Sequence, residues 1–266
     1  MRRDFDRVRL TARGAVAVIT LNHPEVVNAI SPRMVHGFLE ALSFANDRAN
    51  GFRAAILTGE GRGFSSGAHL AETPEGGAGP PPDAGLYLEK YYHPLLFAMR
   101  DLDMPLVTAV NGAAAGIGMS IALMGDLVLA GRSAFFQQAF ARIGLVPDGG
   151  STWVLPRLIG LARARELSLL AERLPAETAL AWGLINRVYD DENLFDAALG
   201  LATRLAEGPT LALTATRRLF WASPSNGFEE QLEMEKQEQS SAGKTEDFRE
   251  GIVAFLKKRP AQFRGR

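Results

Sequence analysis

The sequence predicts an α/β fold with mostly parallel strands, followed by an all-helical C-terminal region. Through about residue 195, short apolar segments bounded by breakers alternate with segments of helical period. Beyond that point only helical patterns occur. The chain has 266 residues, of which 47% are hydrophobic, so it can bury a sizeable core. We therefore expect two regions, at 1–195 and 196–266.

The individual elements follow from local patterns. Strands are predicted where apolar and β-branched residues stand between breakers, at 8–12, 15–21, 53–58, 105–110 and 127–130. A first helix at 32–49 should begin after Ser31, a favourable N-cap that precedes Pro32. Further helices are predicted at 86–100, 117–124, 152–159, 161–170, 176–182, 194–207, 210–221, 228–241 and 247–258. The segment "ETPEGGAGPPPDA" at 72–84 should be a mobile loop, because it has little that is apolar to bury.

Composition argues against several classes of protein. Lys and Arg total 29 and Asp and Glu total 30, a formal net charge of −1, which argues against nucleic acid or an anionic membrane as a general partner. The absence of cysteine excludes disulfides and thiolate sites and fits a reducing cytoplasm. We expect no signal peptide, and Asn111 and Asp126 interrupt the longest apolar region before it could span a membrane. No histidine pair has zinc-motif spacing, so we expect no metal site.

Two glycine-rich loops follow predicted strands. They are "GRGFSSGAHL" at 61–70 and "NGAAAGIGMS" at 111–120. Small residues let the backbone approach a ligand closely, and two such loops could aim two N–H groups at one developing oxyanion. Tight packing alone would also explain either loop. Neither loop carries a nucleotide-binding glycine motif.

The chain resembles the crotonase superfamily, also called the enoyl-CoA hydratase/isomerase family, over nearly its whole length. Six blocks carry the resemblance: "LNHPEVVNAIS", "ILTGEGRGFSSGAHL", "PLVTAVNGAAAGIGMSIALMGDLVLA", "IGLVPDGGSTWVLPRLIG", "ETALAWGLINRV" and "EDFREGIVAFLKKRPAQFRG". The resemblance implies a spiral of ββα units and C-terminal helices that assemble a homotrimer or a hexamer. It also implies an acyl-CoA thioester substrate without a prosthetic group.

The resemblance also implies roles for individual residues. The two oxyanion N–H groups fall on Ala68 and Ile117. Contacts to the acyl-CoA are expected at Val26, Ser66, Gly67, His69, Leu70, Gly116, Phe140 and Lys258. For His69, and for His23 near it, a solvated or structural histidine is an equal alternative. For Lys258, the alternative is compensation of a helix dipole on a solvated face.

The sequence departs from the hydratase pattern at both catalytic glutamates. These positions fall on Ser120 and Phe140, and neither residue is a carboxylate. "IGLVPDGGSTWVLPRLIG" is most similar to the branch that contains the 1,2-epoxyphenylacetyl-CoA isomerases, which directs attention to Asp148. One carboxylate suits a proton shift, since it can take a proton at one carbon and return it at another. Pro-Asp-Gly-Gly is also a turn signal, so Asp148 could be there for the turn.

Three functions follow. The leading hypothesis is an acyl-CoA isomerase that moves an enoyl double bond or rearranges an aryl epoxide, with Asp148 as base and acid. The second is an enoyl-CoA hydratase, in which Asp148 or a loop residue such as Glu89 would handle water. The third is an acyl-CoA-binding protein without catalysis, which would have no need for Asp148 in such a pocket.

Overall fold

The structure is a computed structural model that describes residues 1–72 and 83–266. Most of the segment predicted to be a mobile loop, residues 73–82, therefore lies outside the described residues.

The strands of the described residues form two sheets, one of seven strands and one of four. They are β1 (Arg2–Phe5), β2 (Val8–Arg13), β3 (Val16–Leu21), β4 (Ala54–Gly59), β5 (Gly63–Ser65), β6 (Leu106–Val110), β7 (Ala113–Ala115), β8 (Leu127–Gly131), β9 (Phe135–Gln137), β10 (Leu174–Pro175) and β11 (Arg187–Tyr189). The larger sheet has the order β1-β2-β3-β4-β6-β8-β11, and the smaller has the order β10-β9-β7-β5. Strands β1 to β3 pair antiparallel, whereas β3, β4, β6, β8 and β11 pair parallel.

The helices largely follow the predicted pattern. They are α1 (Pro32–Asn46), α2 (Ala84–Tyr87), α3 (His93–Arg100), α4 (Ile117–Ala122), α5 (Ser151–Leu170), α6 (Ala176–Trp182), α7 (Leu194–Ala206), α8 (Thr210–Ala222), α9 (Phe228–Ala242) and α10 (Glu246–Leu256). Ser31 caps α1 as predicted, because its hydroxyl accepts a hydrogen bond from the Met34 N–H. A π-helical turn at Leu88–Tyr92 interrupts the helix predicted at 86–100. Gly160 has non-helical angles and divides α5 where two helices were predicted.

Successive chain segments repeat one path through the two sheets. A strand of the larger sheet leads to a strand of the smaller sheet and then to helix, as in β4–β5, β6–β7–α4 and β8–β9–α5. Because each turn of this spiral repeats the last, β5, β7 and β9 lie parallel and adjacent. The predicted spiral of ββα units is confirmed. It places the loops that follow β5 and β7 side by side.

The larger sheet is covered on both faces. The main core lies between the sheets and the helices α1 and α3 to α6, with Phe38, Phe64 and Phe136 fully buried. A second core joins Ile56 and Val107 of the sheet to Ala198 and others on α7. Helix α7 begins at Leu194 and crosses the predicted boundary at residue 195, and it packs on the sheet. The division at 1–195 and 196–266 stays a prediction.

Helix α8 is fastened to the core by a buried arginine. Arg217 is 5% exposed, and its Nε lies 2.6 Å from a carboxylate oxygen of Asp126. The same guanidinium donates to backbone carbonyls in 99–102. On the same helix, the Thr214 hydroxyl donates to the Asp103 carbonyl at 2.7 Å. These bonds fix α8 to the end of α3 and the loop after it.

The C-terminal helices leave much apolar surface uncovered. The large exposed side chains of α9 and α10 are Phe228, Leu232, Phe248, Ile252, Val253, Phe255 and Leu256. Phe255 is 82% exposed, which is unusual for a phenylalanine in an isolated folded domain. Within the described residues, none of the helices has both the length and the hydropathy to cross a membrane.

Candidate active site

The two glycine-rich loops meet backbone to backbone. Gly67 and Gly116 both have positive φ, at 102° and 52°. A Cβ atom on Gly67 would lie 3.0 Å from the Ala115 carbonyl oxygen, and one on Gly116 would lie 3.9 Å from the Gly67 Cα. Glycine is therefore required for both conformation and spacing at Gly67. The residue after each glycine, Ala68 or Ile117, is brought to the junction.

The N–H groups of Ala68 and Ile117 are left free by the way the loops are held. Ala68 bridges Ile30 in parallel fashion, through bonds from the Ile30 N–H to the Gly67 carbonyl and from the His69 N–H to the Ile30 carbonyl. A parallel bridge of this kind uses the carbonyl of the residue before Ala68 and the N–H of the residue after it, so the N–H of Ala68 itself points away from Ile30. Ile117 is the first residue of α4 and has no intrahelical acceptor. Within residues 1–72 and 83–266, neither N–H donates a hydrogen bond.

Both residues line a cavity of about 680 Å³. The residues around it are Val27, Arg62, Ser66, Gly67, Ala68, Leu70, Gly112, Ala113, Ala115, Gly116, Ile117, Ser133, Phe135, Gln137, Ala139, Phe140, Arg142, Ile143, Leu145, Asp148 and Arg173. Most of these are small or apolar, as is usual for a pocket that takes an organic ligand. The polar groups are few.

Asp148 supplies the carboxylate of this cavity, and it is the only acidic residue among the described residues that line it. Its Oδ1 atom is buried, and no described group forms a hydrogen bond with it. Burial disfavours the charged form and raises the pKa of the Asp148 carboxyl to about 7. The carboxylate is therefore poised to gain or lose a proton near neutral pH.

The turn that carries Asp148 is built by its backbone and not by its side chain. The Asp148 carbonyl accepts hydrogen bonds from the Ser151 N–H and the Ser120 hydroxyl, both at 3.1 Å. Gly149 and Gly150 take positive φ values of 61° and 78°. Within the described part of the chain, the carboxylate accepts no hydrogen bond of the kind that makes an Asx turn. The turn-forming explanation for Asp148 thus finds no support in this geometry.

A buried tyrosine lies within electrostatic range of the Asp148 carboxylate. The Tyr92 hydroxyl, at the end of the π-helical turn, is buried without a hydrogen-bond partner among the described residues. Burial raises the pKa of Tyr92 well above its ordinary value, and the neighbouring Tyr87 hydroxyl and the Asp148 carboxylate raise it further. The surroundings of Asp148 are therefore poor in solvent, and no cation among the described residues lies near enough to lower the pKa of its carboxyl.

Most of the residues singled out from the sequence come together here. Ser66, Gly67, Leu70, Gly116 and Phe140 line the cavity with Ala68, Ile117 and Asp148. Three others do not line it in this chain. Val26 lies just behind, where its carbonyl accepts a hydrogen bond from Ser66 Oγ. His69 stacks on His23 with ring centroids 5.9 Å apart, and Lys258 is exposed beyond the end of α10.

Sequence reasoning missed three arginines at the cavity. Arg62, Arg142 and Arg173 all line it. The Arg173 guanidinium lies over the Phe135 ring, 4.5 Å from its centroid, and Arg142 Nε donates to the Ala171 carbonyl at 3.1 Å. Arg62 stands inside a motif that was singled out and could have been noticed. The other two come from separate segments, and no local signal joins them.

A second cavity of about 500 Å³ lies between α5, α8 and the larger sheet. Trp153 lines this cavity, and its ring stacks on that of Trp221 with the ring centroids 5.7 Å apart. Its acidic group, Asp126, is already paired with Arg217. The described residues contain no cluster of three or more potential metal-ligating side chains.

Comparison with known proteins agrees with this geometry. The family model described as "Enoyl-CoA hydratase/isomerase" matches residues 11–266. The chain belongs to the enoyl-CoA hydratase/isomerase family. The resemblance to the crotonase superfamily, predicted from six sequence blocks, is confirmed.

Individual members of the family are similar over almost their whole length. The chain is 43% identical to a 1,2-epoxyphenylacetyl-CoA isomerase of Escherichia coli, covering 94% of this chain and 95% of the relative. It is also 43% identical to a Rhodobacter capsulatus protein named "Probable enoyl-CoA hydratase", over 98% and 99% of the two chains. A solved enoyl-CoA hydratase subunit from Geobacillus kaustophilus superimposes with a TM-score of 0.91 at 32% identity, covering 99% and 100%. The predicted likeness to the epoxyphenylacetyl-CoA isomerase branch is thereby confirmed.

Proposed function

We propose that this enzyme isomerises an acyl-CoA thioester by shifting a proton through a thioester enolate, with Asp148 as both base and acid. The observation that carries the proposal is the half-buried Asp148 carboxylate, whose Oδ1 has no hydrogen-bond partner among the described residues. Its cavity also holds two N–H groups that donate to none of the described residues. In a 3-enoyl thioester, a proton removed from C2 and returned at C4 gives the 2-enoyl isomer. One carboxylate suffices for both transfers.

The ionisation of Asp148 suits this role. A base works best when its pKa lies near the working pH, because it is then deprotonated often enough and still basic enough to take a proton. With burial raising the pKa to about 7, Asp148 is about half ionised at neutral pH. An exposed aspartate near pKa 3.8 would be a far weaker base.

The two free N–H groups supply the other half of the mechanism. Proton removal next to a thioester transfers negative charge to the carbonyl oxygen. The N–H groups of Ala68 and Ile117 would stabilise that oxygen, each by about 3 kcal/mol. Because neither has another acceptor among the described residues, no existing bond must break when the substrate binds.

The positively charged edge of the cavity supports a CoA thioester as substrate. Arg62, Arg142 and Arg173 stand on a cavity wall that is otherwise mostly apolar. Guanidinium groups bind phosphate oxygens well, and CoA carries phosphates at the end opposite its thioester. The Escherichia coli relative, a 1,2-epoxyphenylacetyl-CoA isomerase, supports an aryl epoxide as one acyl group alongside a 3-enoyl chain.

Hydration is the second candidate, favoured by the name of the Rhodobacter capsulatus relative. The family's hydratases use two glutamates to position water, and here those positions hold Ser120 and Phe140. The Ser120 hydroxyl donates a hydrogen bond to the Asp148 carbonyl, and the Phe140 side chain is 5% exposed and has no polar group. A water molecule would therefore meet one carboxylate where two are needed.

The exposed apolar faces of α9 and α10 support assembly with further copies of the chain, a homotrimer or a hexamer of paired trimers.

The test is to incubate the pure protein with 3-enoyl-CoA, crotonyl-CoA and 1,2-epoxyphenylacetyl-CoA and to analyse the products by chromatography and mass spectrometry. We expect a new product of unchanged mass from 3-enoyl-CoA or from the epoxide. Addition of one water to crotonyl-CoA as the dominant reaction would instead identify a hydratase. No turnover of any of the three would leave a binding protein.

A further inference from the structure

A series of buried hydrogen bonds ends on the turn that carries Asp148. The Gln138 side-chain N–H donates to Ser151 Oγ at 3.2 Å. Ser151 Oγ lies 2.7 Å from Ser120 Oγ, and the Ser120 hydroxyl donates to the Asp148 carbonyl at 3.1 Å. Either serine hydroxyl can be the donor in the short bond between them. The bonds therefore link the Gln138 side chain to the Asp148 carbonyl through Ser151 and Ser120.

All three supporting side chains are removed from solvent. Gln138 is 0% exposed, Ser151 2% and Ser120 3%. Buried hydrogen bonds in series polarise one another, and a partner lost from such a network leaves an unsatisfied polar group. The Asp148 carbonyl is thus held by the Ser120 hydroxyl and the Ser151 N–H with little freedom to move.

Close packing reinforces the hydrogen bonds at Ser120. A Cβ atom on Gly149 would lie 2.6 Å from the Ser120 Cβ and 2.9 Å from its Oγ. The backbone next to Asp148 therefore rests directly against the Ser120 side chain. A residue larger than serine at position 120 would therefore crowd the backbone of this turn.

We infer that Ser120 is the positioning residue for Asp148, and that its hydroxyl and small size hold the carboxylate in the water-poor cavity. The inference rests on the proposed function, in which Asp148 moves the proton. It assigns a role to the residue that stands where a hydratase would carry its first glutamate.

The inference is tested with matched variants at position 120. Threonine and valine have the same shape, so Ser120→Thr and Ser120→Val crowd the turn equally and differ only in the hydroxyl. Ser120→Ala removes the hydroxyl without adding volume, which provides a second comparison if crowding prevents folding. Thr214→Val is the control, because it deletes a hydroxyl-to-carbonyl bond of the same kind on α8.

The measurements are kcat, KM and the pH dependence of kcat/KM for isomerisation. We expect kcat of Ser120→Val to be at least about 10-fold lower than that of Ser120→Thr, because a small displacement of a catalytic group slows the reaction strongly. We expect kcat of Ser120→Ala to be lower than that of the wild type by a similar factor. KM should stay within about 2-fold. As water reaches the loosened carboxylate, the acid limb of kcat/KM should move to lower pH in Ser120→Val than in Ser120→Thr. Thr214→Val should keep both kcat and the pH profile.

The outcomes distinguish a failure of this inference from a failure of the proposed function. If Asp148→Asn loses activity while Ser120→Thr and Ser120→Val have the same kcat and pH profile, Ser120 is not a positioning residue and the proposed function stands. An equal loss of kcat in Thr214→Val would also overturn the inference, because the effect would then be general destabilisation. If Asp148→Asn retains activity, the proposed function itself fails.

Discussion

Replacing Asp148 with asparagine should make the protein more stable at alkaline pH while it removes activity. Asparagine has nearly the same size and shape but cannot carry a charge. In the wild type, a carboxylate with no hydrogen bond to Oδ1 from any described residue must remain in a poorly solvated site. The variant is relieved of that cost. The carbonyl that forms the turn is unchanged, so the turn should persist.

The size of the effect follows from the pKa of Asp148. Burial raises it from the ordinary 3.8 to about 7, so between these values the folded state holds a proton that the unfolded state has lost. The wild type therefore loses stability as pH rises through this window, by about 1.4 kcal/mol for each pH unit. The full cost, up to about 4 kcal/mol, is present at pH 8 and absent at pH 4. The variant lacks this dependence.

The assay is the melting temperature of both proteins at pH 5, 6, 7 and 8. The difference, variant minus wild type, should grow with pH and reach up to roughly 8 °C at pH 8, taking about 2 °C per kcal/mol for a chain of this size. Asp196→Asn, an exposed aspartate on α7, is the control and should show a small difference that is constant with pH. If the difference in melting temperature between Asp148→Asn and the wild type does not change between pH 5 and pH 8, or falls, burial does not destabilise the charged carboxylate and the argument is refuted. An active variant that is about 1 kcal/mol less stable would restore the turn-forming role.

Three further results are expected. Ala68→Pro deletes one proposed oxyanion donor, so kcat should fall by about 10²–10³-fold. Circular dichroism checks that the variant is folded, and near-normal turnover by a folded variant would mean that the donor lies elsewhere. Gly149→Ala should lower the melting temperature and kcat far more than Gly150→Ala, since both glycines have positive φ but only Gly149 lies against Ser120 and Ile117. Equal effects of the two substitutions would show that this close packing does not matter. Light scattering should give about three or six times the monomer mass, because α9 and α10 expose large apolar side chains, and a monomer would contradict assembly through them.

The sequence predicted the elements with strong local patterns and missed the shortest ones. Each strand of four or more residues except β1 was predicted, and so was the Ser31 cap. The strands β5, β7 and β9 have three residues each, too few to display an alternating pattern, and β7 is Ala-Ala-Ala. Alanine has little preference for strands, so only its neighbours in the sheet make β7 a strand. Tertiary pairing, which no local pattern contains, decides these segments.

The candidate site was accessible from sequence where one motif supplied several residues together. The loops around Ala68 and Ile117 each bring a glycine whose positive φ is required, and a glycine pattern is visible in the sequence. Arg142 and Arg173 come from different segments, and nothing near them indicates a shared cavity. His69 stands in the right motif, but its ring turns back to stack on His23. The direction of a side chain depends on packing, which the motif does not record.

The most direct test of the account is whether Asp148 removes a proton next to a thioester. Phenylacetyl-CoA has acidic α-protons and no double bond or epoxide to isomerise, so its exchange in ²H₂O reports enolate formation alone. We expect the wild type to exchange these protons well above the uncatalysed rate, as measured by mass spectrometry. Asp148→Asn should exchange them at least about 100-fold more slowly while it binds the thioester with similar affinity. Exchange at the wild-type rate by Asp148→Asn, or no catalysed exchange by the wild type, would contradict the account.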